Sequence, residues 1–453
     1  MTRQNLPSSS PRTPDAAADL IATLGPMSTR QKFIVAVLAL ISAAGLVAYI
    51  HQLRIGLAAT AMNNYFSWGI YIVNFVFFIG ISMAGTLISA MLRLTHANWR
   101  QPITRLAEAI TLFALLIAGP MIIIDMGRPD RFLHVILYGR LQSPILWDVL
   151  SLTTYLTGSI LYLYLPMIPD MAILRDCGQF SPWRRKMYGL LAMGWKGNPQ
   201  QHHRLERAIS VMAIAILPVA VSIHTVTAWL FGMTLRPGWH TTIIGPDFVV
   251  GALYSGVAAV ITAIVLFRHH FKLYAYITAD HLLKLSRLLV VFGFVYAYFI
   301  INEHVGDIYT DEGLQRPLSA LIFQGRYAME FWSMVGIGLV APLFMLLTPL
   351  SRTTGGLAIA SILVNVGMWL KRYIIVVPTL ASPFMPPAEA AKLVYVPTLV
   401  EWTITAGAFA GFILLYMIFA KIFPIVSIWE VQEQEHPAPV SSSPVAIPAG
   451  APA

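Results

Sequence analysis

Ten stretches of mostly apolar residues follow one another along this chain of 453 residues. Each is close to the ~20 residues that a helix needs to cross the hydrocarbon core of a bilayer. Charged residues make up only 11% of the chain, whereas a soluble domain carries about a quarter. The alternation typical of a membrane β-barrel is missing. We therefore predict an all-α polytopic integral membrane protein of about ten transmembrane helices, at 33–53, 68–93, 106–125, 145–169, 208–232, 247–268, 281–301, 330–349, 355–377 and 399–424.

The order of these spans suggests two four-helix bundles with two flanking helices. Trp68 opens one group and Asp125 ends its second helix 57 residues later, while Asp247 and Glu303 stand in the same relation 56 residues apart. The repeat is weak in sequence, and it is parallel, which disfavours an inverted-repeat transporter. The predicted units are 31–67 (first helix and outer loop), 68–232 (first bundle), 233–377 (second bundle) and 378–433 (last helix), between disordered tails at 1–30 and 434–453.

The Lys and Arg residues are unevenly divided between the two sets of loops, 18 against 8. Because cytoplasmic loops carry the excess, both termini are predicted to be cytoplasmic, in a bacterial inner membrane. This bias also accounts for the net charge of +9, so nucleic acid is not an expected partner. The outer loops at 63–68, 237–240 and 303–312 are rich in aromatic, Pro or acidic residues, and we interpret them as a docking surface.

Cofactor ligands are scarce. Cys177 is the one cysteine, so the chain cannot form an internal disulfide, a cysteine-ligated iron–sulfur cluster or a C-x-x-C-H haem attachment. A bis-histidine haem would have only His51 and His224 as a conceivable pair, and the spacings of zinc or di-iron sites are missing. We predict no haem, metal or iron–sulfur cluster in this chain.

Ionisable residues within the predicted spans are the main functional candidates, because a charge at membrane depth is costly. They are predicted to lie in the outer half of the membrane, in two groups and at the start of the last span. The first bundle contributes Asp125, Asp148 and His224, with Arg128 just beyond. The second contributes Glu303, His304, Glu330, Lys371 and Arg372, and Glu401 starts the last span.

Such groups suit a quinol, whose two hydroxyls need hydrogen-bond partners and proton acceptors. We predict Asp125, Asp148 and His224 as catalytic residues, with Trp68 and Arg128 completing the quinone site and Arg128 holding Asp125 ionised. The second-bundle group would be a proton path. Structural alternatives remain open: an Asp125–Arg128 ion pair, a helix-dipole role for Asp148, and an interhelical hydrogen bond for His224.

Several segments resemble membrane subunits of the NrfD/polysulfide reductase type. They are 68–75, 80–86, Gly127-Arg128-Pro129, Ser143-Pro144 with Trp147-Asp148, 237–240 and 371–377. The resemblance implies two four-helix bundles, no redox cofactor, and electron exchange between membrane quinone (menaquinone or ubiquinone) and an iron–sulfur subunit on the outer face. A molybdopterin-family subunit, a multihaem cytochrome c and a second homologous membrane subunit are further implied partners.

Ten-span relatives occur in alternative complex III, and this chain departs from their pattern. Asp125 and Met83 stand where those relatives carry His, and Leu230 stands where they carry Asp. We therefore predict a quinone/quinol-interacting membrane subunit of a respiratory or photosynthetic complex, which exchanges protons with the outer face. The alternatives are a proton-translocating module and a purely structural membrane anchor of the same complex.

Overall fold

A computed structural model describes residues 16–95, 97–310, 313, 315–383 and 394–435, and the regular structure in these ranges is helical. The predicted all-α class is thus confirmed. Residues 1–15 and 436–453 of the predicted tails, together with Glu312 and Lys392, lie outside the described residues. The α-helices are α1 Ala16–Ala22, α2 Thr29–Ile55, α3 Ile70–Leu94, α4 Gln101–Asp125, α5 His134–Leu137, α6 Pro144–Tyr164, α7 Ile168–Asp176, α8 Pro182–Leu191, α9 Pro199–Gly232, α10 Ile244–His270, α11 Ala279–Thr310, α12 Gln315–Phe323, α13 Ala328–Val335, α14 Ala341–Leu347, α15 Thr354–Leu380, α16 Leu399–Ile422 and α17 Ile428–Glu435.

Among the described residues, ten helical segments are long and apolar enough to cross a membrane, and each overlaps one of the ten predicted spans. Two of them are composite. A 3₁₀ turn at Leu165–Met167 joins α6 to α7, and a π-helical turn at Gly336–Val340 joins α13 to α14. The chain is therefore a multi-pass integral membrane protein.

Both described ends of the chain lie on one side of the helices, where α1 and α17 pack together. Lys421 Nζ at the end of α16 donates to the carbonyl oxygen of Thr23, 3.0 Å away. We call this side the termini face and the other side the opposite face. The prediction of a disordered tail up to residue 30 is wrong for residues 16–30, because Leu20 and Leu24 are buried against the protein.

The spans pack in two groups. In the first, α3 packs on α4 and α9, and α6 packs on the same two helices. In the second, α10 packs on α11 and α15, and α15 packs on α13 and α14. Helix α10 also packs on α3, which joins the groups, whereas α2 and α16 pair with each other at the side. This is the predicted arrangement of two bundles with flanking helices, although the exact unit boundaries stay a prediction.

The α2–α16 pair depends on two glycines that let the helix backbones approach closely. A Cβ on Gly407 would lie 2.8 Å from the Cα of Gly45, whereas one on Gly411 would lie 3.6 Å from Ile117 Cδ1. We expect Gly407→Ala to destabilise the protein by about 1–3 kcal/mol through overpacking, and Gly411→Ala to be tolerated. Thermal unfolding in detergent checks this, and equal melting temperatures for the two variants would contradict it.

Candidate functional site

Two of the three predicted catalytic residues lie near each other in the first bundle, Asp148 against α9 and His224 against α3. Asp148 lies in the first turns of α6 and is 2% exposed, and Thr227 Oγ1 donates to its Oδ1 at 2.7 Å. His224 lies one turn before Thr227 on α9, with Nδ1 2.7 Å from the oxygen of Ala220 and Nε2 3.0 Å from that of Ile79. A neutral imidazole carries one N–H, so it can satisfy only one of these two oxygens at a time.

Asp125, the third predicted catalytic residue, faces a different set of helices. Its charged neighbour is Glu401 on α16, and one of its oxygens, Oδ1, is buried without a hydrogen-bond partner among the described residues. Beside it, Gln52 of α2 donates to the oxygen of Ile124 at 3.0 Å and accepts from Tyr71 Oη at 2.6 Å. The predicted trio is therefore divided, with Asp125 turned toward the flanking helices.

In Glu401, by contrast, both carboxylate oxygens accept hydrogen bonds. Its carboxylate accepts from Tyr395 Oη at 2.5 Å, from the amide of Ala61 at 2.9 Å and from the amide of Thr398 at 2.8 Å. Because these donors hold both oxygens, Glu401 fixes the start of α16. Asp125 keeps the one open carboxylate oxygen of this neighbourhood.

Arg128 does not pair with Asp125, so the prediction that Arg128 holds the Asp125 carboxylate ionised is wrong. Gly127 takes the left-handed conformation (φ +67°), after which the guanidinium of Arg128 bonds Asp130 at 3.0 and 2.9 Å on the protein surface. This hydrogen bonding lowers the pKa of the Asp130 carboxyl. Arg128 therefore forms an exposed local ion pair beyond the end of α4.

Aromatic side chains of the opposite-face loops fill the interior. Trp68 packs on Phe231 and Trp239 at centroid distances of 5.4 and 5.7 Å. Trp239 is 2% exposed, and its Nε1 donates to the oxygen of Ile375 at 2.6 Å. These tryptophans hold the two bundles together, so the interpretation of their loops as a docking surface is wrong for them.

The second bundle brings together the predicted residues Glu303, Lys371 and Arg372. Asp247 joins them, although the sequence predicted no functional role for it. Lys371 Nζ donates to the carboxylate of Glu303. Asp247 is a further charged neighbour of Lys371, and its buried Oδ1 has no hydrogen-bond partner in the described part of the chain. Arg372 is 2% exposed and lies over the ring of Phe248 at 5.0 Å, also with one nitrogen unpartnered. The sequence signal that could have identified Asp247 is its place as an acidic residue near the start of a span.

His304 and Glu330 lie at the edge of this group. The imidazole of His304 packs between the rings of Phe323 and Phe331, at 5.2 and 5.1 Å, and its Nε2 is buried without a partner. Glu330 has one oxygen in the same condition. Two small cavities, of about 10 and 20 Å³, lie against Glu303. The larger has room for about one water molecule.

The prediction that embedded ionisable groups lie only in the outer half is wrong. Arg105 and Asp170 form an ion pair of 2.5 Å near the termini face, with exposures of 3% and 0%. Glu108, one turn further into α4, is 3% exposed and accepts from Ser89 Oγ at 2.5 Å. Helix α4 begins at Gln101 and the α6–α7 span continues to Asp176, so both members of the pair lie inside helices longer than the predicted spans.

A groove of about 840 Å³ lies between α2, α3, α10, α15 and α16. It extends from Trp402 to Lys421, about 28 Å along α16 at 1.5 Å per residue. Phe77 and Phe78 of α3, with Trp369 of α15, form part of its aromatic wall. The groove is the size of a pocket for a drug-sized or lipid-like molecule.

A few polar groups stand in the half of this groove nearer the opposite face. Asn74 Nδ2 donates to Thr405 Oγ1 at 2.9 Å, and Trp369 Nε1 donates to Asn74 Oδ1 at 2.9 Å. The hydroxyl hydrogen of Thr405 is left without an acceptor among the described residues. Asn365 on α15 has a buried Oδ1 that no donor of the described residues reaches. This half of the groove thus offers one hydrogen-bond donor and one acceptor to a bound molecule.

Within the described ranges, no three His, Cys, Asp or Glu side chains are grouped so as to hold a metal ion. His51 on α2 is exposed, whereas both ring nitrogens of His224 face carbonyl oxygens. These two histidines therefore do not present themselves as a pair of axial haem ligands.

Comparison with known proteins gives the family. The family model for polysulphide reductase, NrfD, matches residues 58–383. A protein named as a membrane subunit of dimethyl sulfoxide reductase, from Halobacterium salinarum, is 28% identical over 86% of this chain and 90% of its own. A selenate reductase subunit of Mesobacillus selenatarsenatis is 27% identical, over 90% and 98%. An Hdr-like menaquinol oxidoreductase integral membrane subunit of Archaeoglobus fulgidus is 22% identical, over 88% and 95%. The chain belongs to the NrfD polysulphide reductase family of membrane proteins.

Proposed function

We propose that this chain is the quinone/quinol-interacting membrane subunit of a multisubunit electron-transfer complex, and that quinone binds in the groove beside α16. The observation that carries the proposal is an apolar cavity of about 840 Å³ that is open to the lipid. Its wall includes Leu266, Val366 and Ile413, which are 61%, 48% and 46% exposed on the membrane-facing surface. A quinone can enter such a groove sideways from the bilayer.

The residues of the groove suit the two ends of a quinone. Its aromatic and aliphatic walls accommodate an isoprenoid chain. Thr405 can donate its hydroxyl hydrogen to a quinone oxygen, and Asn365 Oδ1 can accept from a quinol hydroxyl. Asp125, whose neighbour Glu401 directly precedes Trp402 of the groove wall, has an open oxygen that can accept a proton. Asp125 thus keeps its predicted catalytic role in this proposal.

Relatives support the quinone class and a catalytic partner. One is named a menaquinol oxidoreductase subunit, and two are named subunits of reductases, so we infer menaquinone as the first choice over ubiquinone.

The iron–sulfur partner would dock on the opposite face, where Leu137, Tyr138 and Leu141 are 70–79% exposed. With the basic loops inside, the termini face would be cytoplasmic. Molybdopterin-family, cytochrome c and second membrane subunits stay predictions.

Quinone affinity tests the proposal most directly. Thr405→Val removes the hydroxyl that donates to the quinone, and with it the acceptor of Asn74 Nδ2, but keeps the shape of the side chain. We therefore expect the affinity for 2,3-dimethyl-1,4-naphthoquinone to fall by roughly 2- to 12-fold, equivalent to about 0.5–1.5 kcal/mol. Quenching of tryptophan fluorescence in the purified chain measures it, because Trp369 and Trp402 line the groove.

The matched control is Thr403→Val, since Thr403 lies on the same helix and bonds only its own backbone, at Leu399 O. Its quinone affinity should equal that of the unmodified chain. Unchanged affinity in Thr405→Val, or saturable quenching that survives when Trp369 and Trp402 are both replaced by Phe, would place the quinone elsewhere.

A further inference from the structure

The end of the groove at the termini face is polar and basic, unlike its apolar middle. Lys421 near the end of α16, His270 at the end of α10 and Gln31 near the start of α2 line it there, together with Phe271. Lys421 Nζ lies 5.2 Å from the centre of the Phe271 ring. Because these three spans end here, this part of the groove lies at the level of the membrane surface.

The side-chain amide of Gln31 fixes which nitrogen of His270 carries the proton. In the capping box of α2, Gln31 Oε1 accepts from the amide of Ser28 at 3.0 Å. The other end of the amide, Nε2, lies 2.7 Å from His270 Nε2. An amide nitrogen only donates, so His270 Nε2 accepts, and the proton of the neutral ring is on Nδ1. Among the described residues this Nδ1–H has no acceptor, so it can donate to a ligand.

Lys421 supplies a charged donor beside His270. Its Nζ donates to the backbone oxygens of Thr23 and Gly25, at 3.0 and 3.5 Å. An ammonium group has three N–H bonds, so one is left for a ligand. Within the described part of the chain, no carboxylate forms an ion pair with Lys421. Its charged neighbour is instead another cation, Arg184.

The ionisable groups around His270 are basic as well. They are Lys421, Arg30 and His269. The ion pairs of the described residues include neither Arg30 nor Arg184. This end of the groove therefore concentrates positive charge without a counter-ion. Basic pockets between transmembrane helices near the cytoplasmic surface bind the headgroups of anionic lipids.

The neighbouring half of the groove has room for a lipid chain. From Lys421 to Thr405, α16 rises about 24 Å at 1.5 Å per residue. The hydrocarbon of one leaflet is about 15 Å deep, half of the ~30 Å core. Leu266 and Ile413 line this half and are 61% and 46% exposed. A chain that starts at Lys421 therefore lies against these residues and ends short of Thr405.

We propose that an anionic phospholipid of the termini-face leaflet, such as phosphatidylglycerol, binds at this end of the groove. Its phosphate oxygens accept from Lys421 Nζ and His270 Nδ1, and an acyl chain fills the adjoining half of the groove. A zwitterionic lipid would bring a further cation to a site that is already basic. The acyl chain competes with the isoprenoid chain of a quinone for this space, but not with a quinone that has no chain. The lipid site does not involve Thr405, so it does not depend on the proposed quinone function.

Native mass spectrometry of the purified chain in detergent measures its affinity for phosphatidylglycerol and for phosphatidylcholine. We expect phosphatidylglycerol to bind more tightly. Lys421→Met should weaken its binding about fivefold, equivalent to the about 1 kcal/mol that one Lys contributes near an anionic membrane surface. Lys421→Arg keeps the charge and should bind like the unmodified chain. Neither variant should change the affinity for 2,3-dimethyl-1,4-naphthoquinone, which has no isoprenoid chain.

A second variant covers the contacts of Lys421 with the backbone of Thr23 and Gly25. His270→Phe removes the Nδ1–H donor and leaves those contacts in place, and it should weaken phosphatidylglycerol binding about twofold or more. The matched control is Lys196→Met, because Lys196 is exposed in the loop before α9, on the same face. It should bind phosphatidylglycerol normally. A phosphatidylglycerol with a diazirine midway along its acyl chain should label α16 at residues 413–417.

Three results would overturn the lipid site: equal affinities for the two lipids, equal affinities in Lys421→Met and Lys196→Met, or labelling confined to other helices. Displacement of the lipid by sn-glycerol 3-phosphate would also overturn it, by assigning the basic end to a free anion. Loss of naphthoquinone binding while phosphatidylglycerol binds as expected would instead contradict the quinone function alone.

Discussion

Arg105→Ala should destabilise the protein by about 3–5 kcal/mol, the largest effect on stability that we expect from a single substitution. The guanidinium is 3% exposed and bonds Asp170, which is 0% exposed. It also donates to the carbonyl oxygens of Pro424 and Pro166, at 3.0 and 3.1 Å. Removing it leaves the Asp170 carboxylate buried without its counter-ion and the oxygen of Pro424 without this donor, although Trp429 still donates to Asp170 and to the oxygen of Pro166. Unfolding by SDS in mixed micelles measures the loss.

Two further variants make this result specific. Replacing both partners, as Arg105→Met with Asp170→Leu, should recover part of the stability, because no uncompensated charge is then buried. Arg128→Ala removes an arginine of an exposed pair, with exposures of 63% and 59%, and should leave stability unchanged. If Arg105→Ala unfolds like the Arg128 variant, the buried pair does not stabilise this fold.

Ala263→Trp should reduce quinone-dependent turnover by about tenfold or more, the largest effect on activity that we expect. Ala263 of α10 lines the groove, so the indole would occupy volume that the isoprenoid chain needs. Forcing a ligand against an overpacked wall costs roughly 1–3 kcal/mol. Turnover with benzyl viologen and a menaquinone that carries an isoprenoid chain, at several quinone concentrations, separates an effect on KM from one on kcat.

The matched control is Ile214→Trp, because Ile214 is 59% exposed on α9, away from the groove. Turnover there should stay normal, and thermal unfolding should show both variants folded. Normal turnover in the Ala263 variant would contradict binding in the groove. Quinone contact with Asp148 and His224, as the sequence alone predicts, would then become the favoured hypothesis.

The membrane explains why the spans were predictable. A helix must cross about 30 Å of hydrocarbon with its backbone hydrogen bonds satisfied internally, so a length and a composition suffice to identify it. All ten predicted spans are present for this reason. The Gly-Arg-Pro segment shows the limit: the sequence predicted a break after Asp125, but the positive φ of Gly127 and the Arg128–Asp130 bond decided where the guanidinium points.

Helix rotation and helix partners were not predictable in this way. Asp125 ends α4 and Asp148 lies in the first turns of α6, so both are near the opposite face. Asp125 nevertheless faces α2, α3 and α16, whereas Asp148 faces α9. Both helices are apolar on several faces, so the apolar pattern alone does not set their rotation. Glu108 was readable as a lone acid within a span, but Ser89 and Tyr162 beside it come from two other helices.

The sequence by itself therefore determined the ten membrane-spanning helices and the resemblance to the NrfD family, because hydrocarbon thickness and motif residues act locally along the chain. Only the tertiary structure decided that the buried charges occupy both halves of the membrane, that Glu108 meets Ser89 inside the first bundle, and that a wide groove opens beside α16. Those features arise from contacts between residues on different helices, which lie 19 positions apart for Ser89 and Glu108 and 331 for Asn74 and Thr405. Close packing of helix surfaces, which no local pattern specifies, brings them together.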